Sequence, residues 1–308
     1  RYDYDPGDVL FETAQRFGVR FVLARGGATK GRRFDGDDIA PVPVEPLQTM
    51  IDAVAATARR WHDPSPDSMR RVAFAPTTPT FSLEEPELRQ VVAESRRMGL
   101  RLHSHLSENM DYVTHTLTHY GKRPVQWLVE HDWLGPDVWF AHLVECDEEE
   151  ARLLADTGTA MAHCPQANTR LGSGIAPAAL LDRLGGTVSL AVDGAAANEA
   201  ADMTSALYAA FSLQRAVGGA SATTAETVLR WATANGAKAL GFDTTGTIEI
   251  GKQADIAIFD LNAPRYFGQH DRLIGPIISA GSALVRHSFV AGRPLVRDYR
   301  IPWLDLDQ

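Results

Sequence analysis

The sequence predicts an α/β chain: part of a (β/α)8 barrel followed by a small piece of β-sandwich. Three observations carry this. Six short apolar runs alternate with amphipathic helical segments between residues 19 and 193. The runs are near-continuously apolar, as in a parallel sheet covered on both faces. No Gly-x-Gly-x-x-Gly follows any of them, which counts against a dinucleotide-binding sheet and leaves the barrel as the α/β option of this size. A barrel needs eight units. The expectation is therefore that two βα units precede the chain, which opens at Arg1.

Taken in order, residues 8–17 have helical spacing, and Gly18 is placed to end the helix. Val19–Ala24 reads as a buried strand leading into Arg25-Gly26-Gly27, a backbone-permissive loop. Residues 28–45 are polar and irregular, and read as a surface excursion. A helix is expected over 45–61, a strand over 71–76 with Thr77-Thr78-Pro79-Thr80 as its loop, and a helix over 84–98 closed by Gly99. Leu100–Leu106 is the next strand. Helical spacing over 109–130 breaks between Gly121 and Pro124. Strands follow at 138–143, 159–163 and 187–192, separated by helices at 147–156 and 177–184. Acidic residues crowd the first turn of the former, where the helix dipole favours them. Helices at 202–217 and 225–240 close the barrel part, assigned to residues 1–240. The remainder, 241–308, changes character. Residues 246–259 read as two strand-like runs about a Gly-bounded turn, and 284–296 as a hairpin.

With 308 residues and 44% hydrophobic content the chain can bury a large core. The net charge of −9, without a basic cluster, disfavours nucleic-acid binding. No apolar run approaches 18 residues, so no membrane span is expected. Two cysteines, Cys146 and Cys164, do not make a disulfide scaffold and fit a reducing, cytoplasmic setting.

The chemistry concentrates at strand ends. His103 and His105 alternate on one strand and share a face, and Glu108 lies just beyond it. His105, His142, His163 and Asp193 each stand at or just past the C-terminal end of successive strands, one βα unit apart. In a barrel these ends converge on one mouth, where barrel enzymes keep their active sites. A single histidine there means little; four polar residues in succession are hard to attribute to packing. An imidazole ligand with a carboxylate beside it is what metal-assisted hydrolysis requires.

These residues resemble the amidohydrolase superfamily, and within it the aminohydrolases of purines, pterins and triazines. HSHLSEN (103–109) is similar to the family's fifth-strand His-Leu-x-Glu motif, and AHLVE (141–145) to its sixth-strand His. AHCPQAN (162–168) is similar to its His-Cys-Pro-x-x-Asn, and AVDGAAANEAADM (191–203) to its eighth-strand Asp-Gly motif. GTIEIGKQADIAIFD (246–260) resembles the C-terminal strands of the family's flanking β-sandwich. MAHCPQANTRLGSGIAP and PRYFGQHD are most similar to the isoxanthopterin and 8-oxoguanine deaminases, with hydroxytriazine (alkyl)aminohydrolases more distant.

The resemblance implies an enzyme that hydrolyses a C–N bond of a fused heterocycle, isoxanthopterin foremost, releasing ammonia. It implies one divalent zinc per subunit on His105 and Asp193. Asp193 also takes a proton from the attacking water, Glu108 shuttles protons to the ring nitrogen and leaving amine, and His142 orients or polarises the attacked group. The family's first-strand His-x-His is absent, so a mononuclear site is two protein ligands short and the 308-residue chain is expected to hold metal poorly.

Arg25, Thr77 and His163 are the substrate-binding candidates. A guanidinium suits a ring carbonyl, with a rim salt bridge as the equal alternative for Arg25. Loop structure is the equal alternative for His163. His103 reads as structural, Asn168 as organising its loop, and Glu199 and Asp202 as fixing a loop or capping a helix. No base stands ready to activate Cys164. The partner expected is a small heterocycle, and a homodimer is left open. The rival from another class is a ligand-binding barrel without turnover; Glu108 discriminates, since mere binding needs no carboxylate beside a metal histidine.

Overall fold

The structure is a computed structural model describing residues 6–31, 43–279 and 283–304. The excursion expected at 28–45 lies largely outside these residues. Among them, six strands form one parallel sheet in sequence order: β1 (Phe21–Arg25), β2 (Arg70–Phe74), β3 (Arg101–Leu106), β4 (Val138–His142), β5 (Ala160–His163) and β6 (Thr187–Leu190). Each of the six runs expected from the sequence is a strand, and every neighbouring pair is parallel. This is the wall of an α/β barrel, β1 and β6 being its edges.

Helices connect the strands. α1 (Gly7–Phe17) precedes β1, α2 (Leu47–Trp61) follows it, and α3 (Pro79–Ser82) with α4 (Glu85–Arg97) leads into β3. The helical stretch after β3 is broken as expected into α5 (Met110–Tyr120) and α6 (Pro124–Val129), because Gly121 takes a left-handed φ of 67° and Pro124 opens the next helix. α7 (Glu148–Thr157) carries a capping box from Asp147 to Glu150. α8 (Pro165–Arg170), α9 (Ala178–Arg183), α10 (Ala195–Asn198), α11 (Met203–Gly218), α12 (Ala225–Arg230) and α13 (Gly236–Leu240) complete the layer. The expected helix 225–240 is continuous but passes through a π-turn at Trp231–Asn235.

Strand alternation splits the side chains into two layers. Val72, Phe74, Leu102, Leu106, Val138, Phe140, Met161, Val188 and Leu190 belong to the main apolar core, together with Leu88, Trp133 and Trp231 from the helical layer. Each such side chain, fully buried, contributes about 2 kcal/mol. The alternate positions Ala73, Trp139, Ala160 and Ala162 form a second, smaller cluster with Ala239.

At the N-terminal ends of the strands the floor is built from arginines. Arg20 and Arg71 lie over the buried Phe242 ring, at 5.8 and 4.8 Å. Arg101 donates to the carbonyls of Pro136 (2.8 Å) and Ala239 (3.3 Å). Gly241 follows α13 at φ 79°, and a Cβ there would sit 2.5 Å from the Arg101 Nε, so the position needs glycine on both counts.

Beyond residue 240, β7 (Ile256–Phe259), β8 (Val285–Val290) and β9 (Arg293–Val296) form an antiparallel sheet, with a short helix α14 (Gly275–Ile278) before the hairpin. The hairpin of 284–296 is present, turning through Ala291 and Gly292 at φ 49° and 74°. One expectation is corrected. Thr247–Ile250 is not a strand: Ile248 and Ile250 are 84% and 108% exposed, so no neighbour supplies the ladder and burial that a strand requires.

One buried charge braces the loop after β4. Glu150 is 0% exposed. Burial pushes its carboxyl above the usual range, against donors from the Val125 N–H (2.8 Å) and Arg123 Nε (2.9 Å). Arg123 also donates to the Glu145 carbonyl, and Glu145 N–H to the Ser107 carbonyl (2.9 Å). The pair thus ties α6 and α7 to the residue before Glu108. Arg123→Ala strands a buried carboxylate and is expected to lower stability by about 3 kcal/mol, read as a lowered urea midpoint at unchanged slope.

Candidate active site

The site grows from a chain of backbone contacts between strand ends. Gly26 packs so closely on β2's exit that a Cβ would lie 1.9 Å from the Ala75 carbonyl oxygen. That approach lets the next carbonyl, of Gly27, accept from the Thr77 N–H (3.0 Å) and hydroxyl (3.3 Å). The Thr77 carbonyl in turn accepts from His105, through its backbone N–H (3.2 Å) and its ring Nδ1 (2.6 Å). A carbonyl only accepts, so Nδ1 carries the hydrogen and the lone pair of neutral His105 is on Nε2.

His105 stacks on His142 with ring centroids 5.4 Å apart and planes inclined by 23°. His142 Nε2 lies 3.9 Å from Glu108 Oε2. By alternation His142 would point outward with Phe140, into the helical layer. It does not, because His142 and Leu143 take left-handed φ values of 74° and 53°. Ser107 (50°) and Asp193 (64°) do the same at the ends of β3 and β6. Each such non-glycine residue costs about 1 kcal/mol or more and persists only where its surroundings hold it. At Asp193 the Asn198 amide donates to the carbonyls of Val192 and Asp193, and its oxygen accepts from Ala200 (2.8 Å) and Ala201 (2.7 Å). Asp193 is exposed, with Oδ1 accepting from the Gly194 N–H at 2.8 Å.

Cys164, which follows β5, is buried. Burial, then Asp193 and Glu108, push its thiol up to about 12. It is inert at neutral pH, in keeping with the absence of an activating base. Both cysteines are free and buried.

The remaining candidates are distributed as follows. Arg25 ends β1, and its Nη1 donates to the Gly26 carbonyl (3.1 Å). Thr77 is exposed at the end of β2, where its backbone holds His105. His103 donates from Nδ1 to the Trp139 carbonyl (3.2 Å) and stacks on the Trp139 indole at 4.8 Å. Asp202 caps α11 through Thr204 N–H (2.9 Å), and Glu199 pairs with Arg170.

His163 is not brought to the mouth. It shares parity with Met161, is 0% exposed and meets Trp231 edge-on at 6.3 Å. Neither ring nitrogen has a hydrogen-bond partner. As a substrate contact it has no exposed atom to offer. Asn168, read from sequence as a loop organiser, has a further role in space: its side-chain oxygen meets His142 Nδ1 at 2.9 Å. Its place in the AHCPQAN run was the available signal, but a run does not name its partner.

Among the described residues no group of three His, Cys, Asp or Glu side chains gathers to hold a metal. The donors present suit a divalent ion in type: an imidazole with its other nitrogen already bonded, and a carboxylate.

The Amidohydrolase family matches residues 5–294. The chain belongs to the amidohydrolase family. It is 45% identical to an isoxanthopterin deaminase of an unknown prokaryotic organism, over 99% of this chain and 66% of that protein. It is 36% identical to the 8-oxoguanine deaminase of Pseudomonas aeruginosa, over 97% of this chain and 66% of that one. The chain thus spans just under two thirds of the length of these relatives. In structure it is similar to the atrazine chlorohydrolase of Arthrobacter aurescens complexed with zinc, with a TM-score of 0.88 and 30% identity, over 97% of this chain and 66% of that one. No helix among the described residues is long and apolar enough to cross a membrane.

The buried His163 sets an acid limit. Burial lowers His163 from 6.5 to about 4. The unfolded chain therefore takes up that proton first as pH falls. The stability is intact above pH 6.5 and lost progressively toward pH 4, up to about 3 kcal/mol. His163→Leu is expected to flatten this loss, measured as the urea midpoint from pH 7.5 to 4.5; an equally steep decline in the variant would show that His163 does not carry it.

Proposed function

We propose that the protein containing this chain is a metal-dependent aminohydrolase of a fused nitrogen heterocycle, with isoxanthopterin as substrate. The observation that carries the reading is the arrangement at β3 and β4. His105 has Nδ1 engaged and Nε2 available, it stacks on His142, and His142 faces Glu108 across 3.9 Å. The 45% identity to an isoxanthopterin deaminase supports the choice of ring. The 36% relative favours 8-oxoguanine as the second reading.

His105 and Asp193 would hold a divalent metal, zinc by analogy with the zinc-complexed relative, together with ligands from outside the described residues. When bound, it supplies Lewis acidity and acidifies water. The rest falls to the chain's own groups. Asp193, held at a strained backbone angle, accepts a proton from the attacking water. His142 orients the attacked carbon's substituent. Glu108 delivers protons to the ring nitrogen and then to the exocyclic amine. Water adds at the carbon bearing that amine and supplies both protons. One passes through Glu108 to the ring nitrogen; the other is taken up by Asp193 and passed on through Glu108 to the amine. The C–N bond then breaks, ammonia leaves and both carboxylates return to their starting state. Arg25 and Thr77 at the adjacent strand ends are the proposed ring contacts.

A non-catalytic binding barrel has no use for Glu108 beside His142. In the full-length protein, Glu108→Gln is therefore expected to lower turnover by about 100-fold or more and to leave metal content unchanged. Ammonia release should be greatest from isoxanthopterin across a panel with 8-oxoguanine and hydroxytriazines. No release from any of them, or unaltered turnover in Glu108→Gln, would overturn the reading.

A further inference from the structure

We infer that Asn168 is a positioning residue that decides which nitrogen of His142 faces the reacting group. The inference rests on His142 belonging to the site, as proposed above, but not on the identity of the substrate.

Asn168 is 0% exposed on the short helix α8. Its backbone is fixed at both ends: the N–H donates to the Cys164 carbonyl (3.0 Å), and its own carbonyl accepts from Ser173 (2.9 Å). The side chain is thus presented to His142 from a fixed backbone position; its Nδ2 has no hydrogen-bond partner among the described residues, and its Oδ1 bonds His142. The Asn168 oxygen, 2.9 Å from Nδ1, accepts and cannot donate. Neutral His142 then carries its hydrogen on Nδ1 and its lone pair on Nε2, the nitrogen that faces Glu108 Oε2 at 3.9 Å.

Two consequences follow. The first concerns the ring's direction. The left-handed backbone at His142 (φ 74°) turns its side chain away from the helical layer, and the Asn168 bond holds the ring against His105. The second concerns what the site can bind. Nε2 and the Glu108 carboxylate are both acceptors, and 3.9 Å is too long for a direct bond between them. A donor between them, such as the amine hydrogens of an aminoheterocycle or a water, satisfies both. Asn168 thereby makes this gap one that takes an N–H or O–H donor rather than a second carbonyl.

The test reads the tautomer directly. Long-range 1H–15N correlation spectra of the full-length protein labelled at histidine nitrogens report which His142 nitrogen is protonated, His142→Gln supplying the assignment. The expected result is hydrogen on Nδ1 in the wild type. Asn168→Leu, of similar size without an acceptor, is expected to lose that preference, and Asn168→Asp to keep it. In the kinetic arm Asn168→Leu should lower kcat by about 10-fold to 100-fold with KM little changed, and Asn168→Asp should recover most of it. Hydrogen on Nε2 in the folded wild type overturns the inference without any variant, and does so whether or not the protein is a deaminase. Hydrogen on Nδ1 in a protein that releases no ammonia upholds Asn168 and sinks the functional reading instead.

Discussion

The Thr77 carbonyl is the atom on which the site depends. It accepts both hydrogens that His105 can offer from that side, so it fixes the height of β3 against β2 and the direction of the imidazole together. Its own place comes from Gly27, and Gly27's from the close approach at Gly26 that no side chain would allow. The imidazole's orientation is thus determined two strands away, by backbone. This is the economical way to hold an imidazole: a carbonyl has no rotamers to freeze, and it leaves one nitrogen lone pair and only one direction in which to use it.

The two ends of the wall divide the work. At the floor, Arg20, Arg71 and Arg101 surround Phe242, and Arg20 bonds Asp255 ahead of β7 (Nη2 to Oδ1, 3.0 Å). These contacts bind the second sheet to the first and face no reacting group. At the mouth, four non-glycine residues at strand ends hold left-handed angles. Strain there is retained because Asn168, Asn198 and the Arg123–Glu150 clamp over-determine the backbone around it. Stability is spent at the C-terminal ends of the strands and recovered in the helical layer and floor.

What the sequence disclosed and what it withheld follow from the range of the forces involved. Strands show because burial on both faces demands a continuous apolar run, and all six fell where such runs stand. The short helices α3, α8 and α10 did not show; four to six residues carry no period, and only the prolines at the starts of α3 and α8 hinted at them. Thr247–Ile250 looked like a strand because β-branched residues favour one, yet a strand exists only beside a partner. In the site, position along the chain was legible and direction was not. Parity placed His163 outward beside Met161, and read in that way it would have excluded His163 from the mouth. The same parity fails at His142, because a left-handed turn overrides it. The partnership of Asn168 with His142 joins residues on different units, and no local pattern encodes it.

The central claim is that His105, oriented by the Thr77 carbonyl, donates Nε2 to a metal. The most direct measurement is zinc per subunit, by atomic emission, in the full-length protein and its His105→Ala variant after identical dialysis. The account requires a value near one for the wild type and a small fraction of that for the variant, with the folded state intact by circular dichroism. Stoichiometric zinc retained without His105 would contradict it.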